Sequence, residues 1–448
     1  MSMKNTHVPL EEYCAALSLA ALLLFGSSAA EGQIYQELYA FGPISTNGNS
    51  PQGALVQGSD GNFYGTTAYG GQPTANYPAG GYGTVFRMRP DGTLTTIAWL
   101  DGTNTGDYPL GSLVQANDGS FYGGADRAIF RVTPTGTLIS LNGGGSYGLM
   151  GDLVQGSDGY LYGADGDIGG IYRVWLDGSA GEGWYTSGTP SGGLIQASDG
   201  SFYGLTSDGG TYDYGTAFKL TPTGVLTTLA SFGSNPPGGN PIYPYGKMLQ
   251  ASDGNLYGVC GNGAGGKVFK LTLSGTLTAF AEFGVSDQGQ NPNGGLIQAN
   301  DGNFYGTTFE GGPIAGAQGT VFKITPQGRI STLVVFSYRG ANPGSGPLAG
   351  LVQGSDGNLY GACAYGGDYG GGNIFRIIMP GPLLNSAALG QQLVLSWRTN
   401  YTGFTLQSSP SLTSATWFDC TNMPAVSGGQ FLVTNSMSSG AQFFRLRK

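Results

Sequence analysis

From residue 55 to residue 100 apolar and polar side chains alternate in four short runs, at 55–57, 62–66, 84–88 and 93–100. A period of two puts successive side chains on opposite faces, which is the pattern of a strand and not of a helix. The runs are separated by Asp60-Gly61 and by Pro90-Asp91-Gly92, where glycine supplies the positive φ of a tight hairpin. The pattern therefore predicts a small antiparallel unit of four strands.

That unit recurs. A segment of the form Leu-Val-Gln-Gly-Ser-Asp-Gly-Asn-Phe-Tyr-Gly appears seven times, with its aspartate at Asp60, Asp118, Asp158, Asp199, Asp253, Asp301 and Asp356. The intervals of 40 to 58 residues suit four-stranded propeller blades. A second block, Gly-Thr-Val-Phe-Arg-Met in its first copy from Gly83, follows in each repeat. The seventh copy has a third strand at 373–378 but runs into Pro380-Gly381-Pro382 where a fourth should follow. Residues 34–41, ahead of the first copy, resemble the fourth-strand segment at 227–232. The expected fold is thus all-β: a seven-bladed β-propeller over residues 31–379, closed by an N-terminal strand at 34–41 that completes the last blade and removes two exposed sheet edges.

A side chain present in every repeat builds blades and does not make one asymmetric site. The tyrosines four residues after each aspartate, the glutamines three residues before it and a cation on each third strand (Arg87, Arg131, Arg173, Lys219, Lys270, Lys323 and Arg376) fall in this class. Because the first-to-second and third-to-fourth turns share one face, each cation is expected near the turn aspartate of its own blade.

The blocks GSDGNFYGT and GGxxxxGTVFRMxPDGTLTTI resemble the choice-of-anchor tandem repeats called GloVer repeats, over about residues 34 to 379. The resemblance implies an exported bacterial repeat protein with a variable anchoring end, and it supplies no catalytic residues. Beyond it, residues 383–448 alternate at 392–397, 403–409, 416–421, 430–434 and 442–446, the pattern of a small β-sandwich-like domain.

Composition narrows the function. Glycine is abundant at 84 residues, but 26 Tyr, 22 Phe and only 10% charged residues speak for folded β-structure and against disorder. An apolar run ending in Gly26-Ser27-Ser28-Ala29-Ala30 reads as a signal peptide over residues 1–30, hence a secreted or cell-surface location. No later segment resembles a transmembrane helix. The formal charge of −9 argues against nucleic acid as a partner. Cys260 and Cys363 hold the same place in different repeats, so they read as small buried thiols rather than a disulfide. The sole histidine is His7, which removes Ser-His-Asp, Cys-His and His-metal chemistry from the exported chain. No metal cluster, phosphate loop or dinucleotide fingerprint is present, so no cofactor is expected.

Connections on one face are uniformly short, whereas those from second to third and from fourth to first strand vary widely, and variable loops on a rigid scaffold are where binding evolves. They carry Tyr69, Tyr77, Tyr82, Tyr108, Tyr212, Tyr214, Tyr243, Tyr245, Tyr365 and Tyr369, with Asp107, Asp213, Glu310 and Asp368. Aromatic faces beside carboxylates suit sugar rings. The leading expectation is a non-catalytic binding propeller for a polysaccharide or a surface protein. A structural envelope or matrix scaffold, and a carbohydrate-active enzyme that uses a carboxylate pair, are the alternatives.

Overall fold

The computed structural model describes residues 34–447 apart from 44–45, 73–79, 127, 142–151, 166–168, 234–241, 262–264, 285–287, 315, 339–341, 383, 390, 399–403, 412–415 and 437–441. Among the described residues every helix or strand is a strand. The expected signal peptide and Tyr77 lie outside them.

Seven sheets share one plan, with four strands in chain order. The first sheet runs Val56–Gln57, Phe63–Thr67, Thr84–Met88, Leu94–Trp99, and the sixth gains an extra strand at Gln290–Pro292. In the seventh, Val352–Gln353, Leu359–Cys363 and Asn373–Ile378 are completed by Ile34–Ala40 from the opposite end of the chain. Ile34 pairs with Ile378 and Ala40 with Asn373, antiparallel, with a bulge between Glu37 and Tyr39.

The second strand of each sheet is buried at its first five positions and the third at its first five except the cation; only Phe309, Glu310 and Ile378, at the ends of the sixth sheet's second strand and the seventh's third, emerge further. Alternation vanishes there because neighbouring sheets cover both faces. The glycine after each repeat tyrosine has a packing cause: a Cβ on Gly65 would lie 2.5 Å from Phe86 Cζ, and one on Gly361 would lie 2.5 Å from Phe375 Cζ. The third-strand ring fills the space a side chain would need.

A circle of glutamines links the sheets. Gln115 Oε1 accepts the Ser59 amide at 2.9 Å, Gln155 accepts Asn117, Gln196 accepts Ser157, Gln250 accepts Ser198, Gln298 accepts Ser252 and Gln353 accepts Asn300. Gln57 closes the circle by accepting the Ser355 amide at 2.7 Å. Each amide also donates to its own turn glycine, as Gln57 does to Gly61 O at 2.9 Å. Every link joins a sheet to the next, so the seven sheets form a ring.

The aspartates bind inward. Each accepts the hydroxyl of the tyrosine four residues on, from Tyr162 to Asp158 at 2.7 Å to Tyr122 to Asp118 at 2.9 Å. Burial, together with the Asp60 carboxylate, pushes the Tyr64 hydroxyl up to about 12. The expected cation pairing is present at Arg131–Asp118, Arg173–Asp158, Lys219–Asp199 and Lys270–Asp253, at 2.8 to 3.7 Å. Arg376 instead donates to Gln36 Oε1 at 2.6 Å, because the strand beside it comes from the N-terminal segment.

Beyond the ring, Asn385–Leu389, Gln392–Arg398, Gln430–Ser436 and Ala425–Ser427 form one sheet, and Phe418–Asp419, Thr405–Ser409 and Phe443–Arg447 another. Leu395, Trp397, Leu406 and Val433 make their common core. Sequence alternation missed the two strands at 385–389 and 425–427, whose residues are all exposed and so carry no apolar rhythm. Among the described residues no helix is long and apolar enough to cross a membrane.

Candidate functional site

The repeat breaks where the second strand ends and the third begins, at the root of the long connections. In three sheets this level holds a buried threonine pair: Thr67–Thr84 at 2.8 Å, Thr206–Thr216 at 2.8 Å and Thr308–Thr320 at 2.9 Å. Elsewhere the same register holds Ala125 with Ala128, Asp165 with Gly170, Cys260 with Lys267 and Cys363 with Asn373. Features common to all sheets serve the scaffold, so individual chemistry is found among these departures.

The seventh sheet departs furthest. Asn373, fully buried, donates to Glu37 Oε2, to Tyr35 Oη at 3.0 Å and to Pro343 O at 2.6 Å, while Tyr35 donates to Pro343 O at 2.7 Å. Burial raises the Glu37 carboxyl above its ordinary value; the Asn373 bond opposes this, and the Asp368 charge adds to it. A Cβ on Gly367 would stand 3.4 Å from Glu37 Oε2, ordinary contact distance, so the glycine backbone packs beside that carboxyl. Pro343 and Gly367, which touch this cluster, also line a cleft of about 500 Å³ together with Pro43, Tyr338, Asp368, Tyr369 and Gly370. Asp368 lines this cleft, and Glu37, on the N-terminal strand and outside the lining, lies close enough for its carboxyl to feel the Asp368 charge. Glu37 was missed from sequence because it lies more than 300 residues from Asp368; its register opposite the seventh repeat was the signal that could have found it.

The tyrosines gather where neighbouring sheets meet. Tyr69 meets Tyr108 edge to face at 5.2 Å between the first and second sheets, and Tyr214 meets Tyr243 in the same way at 5.3 Å between the fourth and fifth. Tyr108 and Tyr243 have φ of 48° and 53°, and each directly precedes a proline. Ser50 and Asn291 repeat this left-handed pre-proline conformation at 56° and 55°. Such geometry is sterically costly, by roughly 1–3 kcal/mol per residue, and it clusters at functional sites. The proline it positions packs on the glycine before the preceding third strand: a Cβ on Gly83 would meet Pro109 Cδ at 2.7 Å, and one on Gly215 would meet Pro244 Cδ at 2.8 Å.

The remaining candidates divide. Tyr212, Tyr245, Tyr365 and Tyr369 are exposed, whereas Tyr82 is buried in the core, so its ring is removed from solvent. Asp213 Oδ1 accepts the Gly209 amide at 2.9 Å and shapes its own turn. Asp107 accepts the Asp126 amide through its backbone carbonyl, and Glu310 lies 3.5 Å from Asn291 Nδ2. Among the described residues no group of three or more His, Cys, Asp or Glu could hold a metal ion.

Residues 189–409 match the model of the Gloeobacter/Verrucomicrobia repeat, a likeness in line with the GloVer-type resemblance of the sequence. No curated protein matches. Among solved structures, a streptogramin B lyase has a TM-score of 0.57 at 16% identity, over 79% of this chain and all of its own. A catalytically inactive histidine-to-alanine variant of virginiamycin B lyase from Staphylococcus aureus, bound to quinupristin, has 0.55 at 17%, over 78% of this chain and 99% of its own. The extracellular domain of a hybrid two-component system of B. thetaiotaomicron has 0.50 at 10%, over 93% of this chain and 55% of its own. At these identities the likeness shows the fold: a β-propeller.

Proposed function

We propose that this chain is an exported seven-bladed β-propeller, closed by its N-terminal strand and followed by a β-sandwich-like domain, whose long-loop face binds polysaccharide without cleaving it. The observation that carries the reading is the pairing of partly exposed tyrosines across sheet junctions on that face, held by strained backbone. Aromatic faces offer flat apolar contact to sugar rings, and their paired arrangement costs little conformational entropy on binding. The lyase activity of the neighbours does not carry over on fold alone. The one whose histidine is replaced is inactive, and this chain's single histidine, His7, precedes the propeller.

A second reading rests on Glu37 and Asp368. A carboxyl raised by burial near an exposed carboxylate that lines a cleft is the combination from which a proton donor and its partner in glycoside hydrolysis are built. One assay separates the two readings. The chain from residue 31 is incubated with plant, algal and bacterial polysaccharides, and retention and new reducing ends are scored together. Retention without release supports the binding module; release overturns it in favour of the carboxylate pair; neither leaves the scaffold or a protein partner as the better account.

A further inference from the structure

We infer that the long-loop face carries two equivalent sugar subsites on opposite sides of the ring axis, so that its ligand is one extended, uncharged polysaccharide crossing the face and held at both. The inference rests on the glycan-binding reading and deepens it.

The same device is built twice. Tyr69 with Tyr108, and Tyr214 with Tyr243, make edge-to-face pairs of nearly identical spacing, 5.2 and 5.3 Å. In each, the second tyrosine is left-handed and precedes a proline, and the residue after that proline is an exposed apolar or aromatic side chain, Leu110 in one and Tyr245 in the other. One pair stands between sheets one and two, its twin between sheets four and five. Three steps around a ring of seven is as near to diametrically opposite as that symmetry permits.

Neighbouring sheets also meet closely near the starts of their first strands, where a Cβ on Gly53 would lie 2.5 Å from Gly111 O and one on Gly192 would lie 2.4 Å from Gly246 C. The exposed carboxylates Asp213, Glu310 and Asp368 and the net charge of −9 disfavour a polyanion. Two subsites on one polymer make the second contact intramolecular, so affinity for the polymer exceeds that for a fragment by about a hundredfold or more.

The test titrates the chain with a soluble uncharged β-glucan and with its own trisaccharide. The variants are Tyr108→Asn, Tyr243→Asn and both together. Asparagine is chosen because Asn291 already occupies the equivalent strained pre-proline position, so the fold tolerates it there. The expected result is two trisaccharides per chain in the wild type and one in each single variant, with polymer affinity falling about a hundredfold in either single variant toward that of one site. One trisaccharide per chain at the affinity of the polymer overturns the two-site inference while leaving glycan binding standing. Polymer affinity unmoved by either single variant overturns it likewise. Absence of binding by both probes overturns the inference together with the reading it rests on.

Discussion

Ring closure depends on Tyr35, and its removal gives a quantitative test. The ring stacks on Phe375 at 5.8 Å and meets Phe336 edge-on at 6.1 Å, and the hydroxyl donates to Pro343 O and accepts from Asn373. Tyr35→Phe removes two hydrogen bonds but orphans nothing, because Asn373 still donates to Pro343 O and Glu37; the expected cost is about 0.5–1.5 kcal/mol. Tyr35→Ala also strips the ring. Complete burial would make that worth about 3–5 kcal/mol, and the partial exposure of Tyr35 trims it to roughly 2–4. Urea unfolding followed by tyrosine fluorescence measures both. Because the N-terminal strand is held to the seventh sheet by pairing and packing, amide exchange in the alanine variant should accelerate in Ile34–Ala40 and Asn373–Ile378 before the fourth sheet responds. An alanine variant within about 0.5 kcal/mol of wild type, or protection lost evenly around the ring, would refute this account of closure.

Gly65→Ala should cost about 1–3 kcal/mol by overpacking against Phe86, whereas Gly61→Ala, with open space around it but φ of 81°, should cost about 1–2 from backbone strain alone; paired melting curves with the Phe86→Leu background check this, since that background should relieve only the first. Gln196→Ala removes the bonds to the Ser157 amide, Ser157 Oγ and Gly200 O, partly replaced by water, and should lower urea stability by about 1–2 kcal/mol. Glu37 has a folded-state pKa above its unfolded one, so its protonation favours the folded state at low pH and that contribution is lost as pH rises through the folded value. Glu37→Gln should therefore be more stable than wild type at neutral pH, with the gap closing below about pH 4 in denaturant titrations. Asp199 runs the other way: burial alone would raise it, but Lys219, Tyr203 and the Ser201 amide outweigh burial and hold it low, so its stabilisation is present above the unfolded value and lost on acidification, which an Asp199→Asn variant should not show.

Repetition made most of the scaffold legible. The alternation at 84–88 gave the third strand with its observed ends, Thr84–Met88, and the strand at 62–66 differs from the observed Phe63–Thr67 by one residue at each end. The repeat also marked the glutamines and tyrosines as structural, although not what they bind: a period along the chain shows that a residue belongs to the unit, while its partner across a sheet junction lies 38 to 298 residues away.

Local pattern and repeat spacing determined the strands, their grouping into units and the turns, because these depend on side-chain alternation and on glycine at positive φ. Only the tertiary structure decided which tyrosines stand in pairs, why Tyr82 is buried while Tyr69 is exposed, and that Glu37 faces Asp368. Those facts follow from how neighbouring sheets pack and where the two ends of the chain meet, and closing the ring brings together residues that no local pattern connects.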